Sequence, residues 1–290
     1  VNAFIIKLIA MIAMLTDHCA FAAQSAGVLP EGGVYLILRS VGRIAFPVYA
    51  FMLVNGFSNS RSRKQYLGRL TVLAVISQLP FSMLTSELNY SGCCAAFEIS
   101  FAWRYLPMLC FPAGVWLVYA CGKKADRSFW WMTAALLMSQ VRISAFGMEL
   151  ITGKLNVFYT LALGLAAMMY AERLKCGKKT DTGTLLCAAA MVIALILVGM
   201  HSDYDILGLI LIIGLYTCRS RRMMVYVTGA WCFCVYLLMG REPVMFVFSL
   251  TAALMAWLYN GERGPGHKLL FYSFYPAHIA ALVIIFQLLR

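Results

Sequence analysis

The chain reads as an all-α, polytopic membrane helix bundle, and three observations carry that expectation. Of its 290 residues 62% are hydrophobic and only 12% charged, with a mean hydropathy of +0.79. A soluble domain carries about a quarter charged residues and could not bury this much apolar surface. The apolar residues fall into runs near the ~20 residues that cross ~30 Å of hydrocarbon. The basic residues, finally, recur on alternate sides of those runs.

Cutting at polar clusters leaves apolar runs near 4–22, 34–57, 70–86, 104–121, 128–144, 155–171, 184–200, 206–218, 223–239, 244–259 and 269–289. This predicts about eleven transmembrane helices, with 206–218 the shortest. The runs are continuously apolar, not alternating with period two, which excludes a transmembrane β-barrel. The first run holds Asp17 and His18 and no small-residue cleavage pattern follows it, so it is read as part of the mature fold. Most of the ten cysteines are scattered singly through apolar runs, where a thiol acts as a small hydrophobe. Cys93-Cys94 is the exception. No Cys/His spacing suggests a metal site, and none is expected.

The net charge of +12 invites a nucleic-acid reading, but the distribution argues against such a partner. Loops after even-numbered spans, with Lys7, hold 17 basic and four acidic residues, a net of +13. The other side holds seven basic and eight acidic residues, a net of −1. The positive-inside rule then puts the N-terminus in the cytoplasm, with the cations acting as topology signals and lipid-headgroup contacts.

Ionisable groups inside a span cost at least ~2.5–3.5 kcal/mol on insertion scales, so they turn into the bundle and mark candidate sites. Asp17 and His18 lie late in span one, Arg39 and Arg43 early in span two, Arg142 near the end of span five, and His278 within span eleven beside Pro276. Counting 1.5 Å per residue puts His18, Arg43 and His278 at comparable depths. They are expected to line one polar pocket opening towards the outer half of the membrane, with Arg43 neutralised by Asp17 or a bound anion. Asn156 and Asp203-Tyr204 form an outer tier. Each has a plain structural alternative: an ion pair for Asp17 and Arg43, interhelical hydrogen bonds for the histidines. Asp17 and His18, being adjacent, point about 100° apart on a helix, which makes Asp17 a poor orienting partner for His18. On the opposite face, Asn260-Gly261-Glu262-Arg263-Gly264-Pro265-Gly266-His267-Lys268 is a glycine-rich, cationic turn able to hold phosphates, or an ordinary interhelical loop.

Four stretches together resemble the TraX family of bacterial membrane proteins. They are Lys7–Ile12 running into Asp17-His18; Gly42-Arg43-Ile44-Ala45-Phe46-Pro47 through Asn55-Gly56-Phe57; Leu155-Asn156-Val157-Phe158; and Tyr259-Asn260-Gly261 with Arg263-Gly264-Pro265 through Phe274-Tyr275-Pro276-Ala277-His278. Asp203-Tyr204 fits a fifth, weaker motif. Residues from about 88 to 153 look like an insertion atypical of the family within a single transmembrane acyltransferase-like domain. The resemblance implies an enzyme of the bacterial cytoplasmic membrane that moves an acetyl group from cytoplasmic acetyl-CoA to an acceptor in or across the bilayer. A pilin or other peptide amine is favoured over a hydroxyl such as that of a glycan. By the same resemblance His18 acts in the transfer; buried imidazole chemistry makes it the expected base, with Asp17, Arg43 and Asn156 in the catalytic set. Asn260, Gly261, Arg263, Gly264, Lys268, Tyr275 and His278 fall to the acetyl-CoA, and Asp203 and Tyr204 to the acceptor. Whether His18 takes a proton or is itself acetylated stays open. Rival readings are a solute transporter, which would also show buried charges and Pro-interrupted helices, and a non-catalytic component of a conjugation or secretion apparatus.

Overall fold

The computed structural model describes residues 1–85, 98–101, 141–145, 148–151, 155–176, 204–240 and 242–288. Its helices are α1 (Ala3–Ser25), α2 (Gly33–Gly42), α3 (Ala45–Ser58), α4 (Arg63–Thr85), α5 (Val157–Cys176), α6 (Asp205–Thr217), α7 (Arg221–Met239), α8 (Pro243–Leu258) and α9 (Lys268–Leu288). Between α4 and α5 lie three short strands, β1 (Glu98–Phe101), β2 (Val141–Ala145) and β3 (Met148–Ile151), paired antiparallel in that order.

The bundle is helical and membrane-spanning, but the count of about eleven spans is not carried. Among the described residues there are eight helical rods, taking α2 and α3 as one broken rod, and five are long and apolar enough to cross a bilayer: α1, α2–α3, α4, α7 and α9. α6, α8 and the apolar part of α5 are shorter. The expected runs 104–121 and 184–200, and most of 128–144, lie outside the described residues, as do Cys93 and Cys94. Where 128–144 ends, the chain is strand: Ser100 faces Arg142 and Ile99 faces Ile143 across the β1–β2 ladder. Val141-Arg142-Ile143-Ser144 alternates apolar and polar, a period-two signature that a plain count of apolar residues passes over.

Local signals set the helix ends. Asn2 caps α1 by accepting the Ile5 N–H at 3.1 Å, and Ser220 caps α7 by accepting that of Met223 at 3.3 Å. Gly240 closes α7 in the left-handed region, and Pro243 opens α8 where its missing N–H costs nothing. The span expected at 34–57 breaks after Gly42. There the Arg43 and Ile44 N–H groups bond the carbonyls three residues back, tightening the backbone before α3 starts.

The chain divides into two compact units, one of residues 1–58, 83–89 and 210–290, the other of 59–82 and 90–209. In the first, α2 packs between α1 and α8, and α9 packs on α1. α1 shows why it lies as it does. Ile5, Ile9 and Ile12 are exposed along one stripe, as a lipid-facing surface requires, while Ala10, Ala13, Asp17 and Ala20 are buried along another. Small residues on the inward stripe let neighbouring backbones come close. From α3, Phe46 meets Trp231, Phe51 meets Tyr259 and Phe57 meets Tyr216, each with ring centroids 5.7–5.8 Å apart.

The sidedness inferred from charge is visible within each unit. In the first, the Ala3 N–H donates to the Glu262 carbonyl at 2.9 Å and Arg221 donates to the Tyr259 carbonyl, so the start of α1, the start of α7 and the 259–268 loop share one end. In the second, Arg63 pairs with Glu172, joining two more loops assigned to the basic side.

Gly42 sits where α1 and α2 touch: a Cβ there would lie 2.2 Å from the Asp17 Cβ. Alanine normally stabilises a helix relative to glycine by up to about 1 kcal/mol. Gly42→Ala should do the opposite, costing about 1–3 kcal/mol through overpacking. Gly229→Ala, on α7 with nothing within 4 Å of its added Cβ, should be neutral or stabilising in the same detergent unfolding measurement.

Candidate functional site

Asp17, on the buried stripe of α1, is gripped by two arginines. Arg39 Nη1 lies 2.8 Å and Arg43 Nη2 3.1 Å from its Oδ1, and Arg43 Nη2 also reaches Oδ2 at 3.4 Å. Spacing of four residues puts both guanidinium groups on one side of the α2 terminus, and Arg43 Nε donates to the Arg39 carbonyl at 3.3 Å. The Arg39 guanidinium also faces the Phe21 ring at 5.3 Å, one α1 turn beyond Asp17. Arg39, marked from sequence as an intramembrane ionisable residue, is given no catalytic or binding role there. Its i, i+4 relation to Arg43 was the available signal.

His18 points away from that ion pair, as the 100° turn between neighbours dictates. Its Nδ1 lies 2.8 Å from Nε2 of His278 on α9, and the two rings are within 7° of parallel. His278 is buried, and its Nδ1 lies 2.8 Å from the Phe274 carbonyl oxygen in the turn that contains Pro276. Tyr275, almost fully buried, stands edge-on to both imidazoles with centroids 6.0 Å from His18 and 5.5 Å from His278. Phe274 stacks on His278 at 4.5 Å. His278 and Tyr275, assigned from sequence to the acetyl-CoA, thus stand beside the imidazole of His18.

At the basic end of the same unit the glycine turn is folded onto α1. The Asn260 amide donates to Glu262 Oε2 at 2.8 Å and its Oδ1 accepts the Glu262 N–H at 3.1 Å. Gly261 and Gly264 hold φ of +88° and +70°, and a Cβ on Gly264 would lie 2.9 Å from Asn2 and Phe4. Lys7 faces the Phe271 ring at 5.4 Å and lies close enough to Arg263 for their like charges to interact. Arg221 reaches the Tyr259 carbonyl and faces its ring at 5.6 Å. Lys7 and Arg221 are cations of this end that the motif alone did not single out. Lys268 opens α9, its side chain being outside the described residues.

Asn156 belongs to the second unit and is buried and fully engaged there. Its Nδ2 donates to the Ala74 carbonyl at 2.7 Å and to Gln78 Oε1 at 3.0 Å, while its Oδ1 accepts the Phe158 N–H at 3.0 Å. The side chain caps α5 and ties it to α4, so both amide hydrogens are spent. Asp203 lies outside the described residues. Tyr204 precedes α6, where its carbonyl accepts the Gly208 N–H at 3.0 Å.

The sequence model described as TraX protein matches residues 3–100 and 106–286. The chain belongs to the TraX family. It is also 30% identical over 297 residues, 97% of this chain and 94% of the relative, to the probable fimbrial assembly protein FimC, serogroup H1, of Dichelobacter nodosus. No solved structure matches it. Three of the stretches that carry the TraX resemblance contribute to one unit: Asp17-His18 from α1, Gly42-Arg43 from the α2 terminus, and Tyr275–His278 from α9.

Removing one partner of a buried ion pair leaves the other uncompensated, at about 3–5 kcal/mol. Asp17→Ala, which removes the one carboxylate shared by both guanidinium groups, should therefore lower thermal stability in detergent far more than Arg39→Gln, after which Arg43 still neutralises the carboxylate. Equal losses from the two variants would contradict the shared-carboxylate geometry.

Proposed function

We propose that this TraX-family protein is a membrane-embedded acetyltransferase of the bacterial cytoplasmic membrane, moving an acetyl group from acetyl-CoA to an amine on a pilin-type acceptor. The observation that carries the reading is the His18–His278 hydrogen bond: an imidazole inside a membrane bundle, held by a second imidazole and leaving one ring nitrogen for chemistry. The family and the fimbrial-assembly relative favour a pilin acceptor over a glycan.

In this reading the acceptor amine attacks the thioester carbonyl carbon while His18 takes the proton the nitrogen sheds. The tetrahedral intermediate collapses, the C–S bond breaks, and the same proton passes from His18 to the departing thiolate to give free CoA. No net proton is consumed. Arg43 and Arg39, fixed by Asp17 on another face of α1 but near enough for their charge to be felt at His18, supply the positive potential for the developing oxyanion.

Acetyl-CoA enters from the basic, cytoplasmic end. Arg263, Lys268 and the Asn260–Gly264 turn hold its phosphates, with Lys7 and Arg221 adding charge at that mouth. From Lys7 to His18 is eleven residues of α1, a rise of about 16 Å that an extended pantetheine arm covers. Lys7, Met11, Met14 and His18 follow one stripe of the helix. Met11 and Met14 are buried on it, and flexible thioether chains make an adaptable wall for a narrow passage.

His18→Ala should fold and bind acetyl-CoA yet transfer no acetyl group to a peptide carrying the pilin N-terminus, measured by mass spectrometry. Full transfer by that variant would refute the assignment. Arg263→Glu should raise KM for acetyl-CoA and leave kcat nearly unchanged, because phosphate contacts bind ground and transition states alike. With an N-terminal amine as acceptor, whose ordinary pKa is about 8, the rate at subsaturating acceptor should climb with pH up to that value and then level as the neutral amine predominates. A rate that falls over this range would exclude attack by the free amine.

A further inference from the structure

The two imidazoles and one carbonyl oxygen fix where the protons lie. A carbonyl oxygen can only accept, so the His278 Nδ1 that stands 2.8 Å from the Phe274 oxygen carries hydrogen. A neutral imidazole has one N–H, which leaves Nε2 of His278 as a lone pair. That lone pair lies 2.8 Å from Nδ1 of His18, so Nδ1 is the protonated nitrogen of His18 and its own lone pair is on Nε2. The 7° angle between the planes and the 5.1 Å centroid separation fit two rings sharing a plane and meeting nitrogen to nitrogen, not a face-to-face stack. Phe274 against the face of His278 and Tyr275 at its edge oppose the ring flip that would exchange its nitrogens.

We infer that His278 is a positioning residue that locks His18 into the Nδ1–H tautomer, so that the Nε2 lone pair, never an N–H, is offered to the reacting groups. The functional consequence rests on the acetyl-transfer reading above; the tautomer itself does not. When Nε2 of His18 takes the acceptor's proton, the Nδ1–H bond to His278 stays in place and strengthens, since its donor has become cationic. The Phe274 carbonyl, holding the far N–H of His278, keeps that acceptor correctly oriented throughout. The logic is that of any reactive imidazole oriented from behind by a fixed partner, with a second imidazole and a backbone carbonyl in the place of a carboxylate. The lone pair so exposed serves equally for taking a proton or for accepting an acetyl group.

Nitrogen-15 NMR of histidine-labelled protein in detergent micelles, with the His18 signals identified by their loss in His18→Gln, reads the tautomer directly. The expected result is a proton on Nδ1 of His18 in the wild-type chain. His278→Ala should shift that population towards Nε2–H and reduce kcat by about 10–100-fold, the loss typical when the hydrogen-bond partner behind a metal-bound histidine is removed, with KM for acetyl-CoA unchanged. His278→Gln, whose Oε1 can accept the Nδ1–H, should restore most of both. A wild-type His18 protonated on Nε2, or equal losses in the Ala and Gln variants, would overturn the inference. A wild-type chain with the Nδ1–H tautomer and no acetyl transfer would sink the transferase reading and leave the tautomer lock standing. An active enzyme with its His18 proton on Nε2 would do the reverse.

Discussion

Hydrocarbon does not tolerate an unpaired charge, and the geometry around the site follows from how this chain satisfies that demand for Asp17. A carboxylate inside a span must find cations, and it finds two from one neighbour, Arg39 and Arg43 at the end of α2. Where both guanidinium groups meet the one carboxylate, α2 approaches α1 so closely that no side chain fits between them, and the residue at the contact is Gly42. The rod then breaks immediately beyond, at Arg43 and Ile44, and resumes as α3. The ion pair, the close helix approach at Gly42 and the helix break thus fall within a few residues of one another.

The same requirement sets the rotation of α1. With Asp17 turned to α2, the next residue is carried about 100° round the helix and meets α9. There His18 finds a neutral partner. A pair of neutral imidazoles joined by one hydrogen bond and terminated on a backbone carbonyl costs far less to bury than a second ion pair, because no full charge leaves water. Placing structural charge and reactive base on adjacent residues keeps them apart: the carboxylate holds the helices, and the imidazole stays free of it. A direct Asp17–His18 bond would have occupied a ring nitrogen and drawn the carboxylate towards the imidazole and away from the two arginines.

Much of this was legible in the chain itself. Apolar runs of span length mark α1, α4, α7 and α9 to within a few residues at most ends, and charge alternation foretells that the α1 start, the α7 start and the 259–268 loop share an end. Asp17 as a poor partner for His18 followed from helical periodicity alone. Other features were not legible, for identifiable reasons. Continuous hydrophobicity does not distinguish one rod from two, so the break at Arg43 was hidden. Nor did a count of apolar residues register the alternation in Val141–Ala145, where strand replaces helix. Asn156 drew attention as a polar residue opening an apolar run, yet that position is also where a helix needs its N-cap, and the amide is fully used there.

What no one-dimensional pattern contains is the pairing of His18 with His278, which are 260 positions apart. Depth estimates brought them to similar levels in the membrane, but level alone leaves each helix free to turn. Facing is decided by neighbours: Asp17 fixes the azimuth of α1, while the Lys7–Phe271 and Phe4–His267 contacts seat the first turns of α9 against the same helix. With both ends of the α1–α9 seam pinned, one by an ion pair to a third helix and one by a cation and aromatic rings, the imidazoles have little choice but to meet. The hydrogen bond between them is therefore a consequence of scaffolding laid down by residues other than the two histidines, which is the arrangement expected when a reactive group must be held still in a solvent that offers it no other partner.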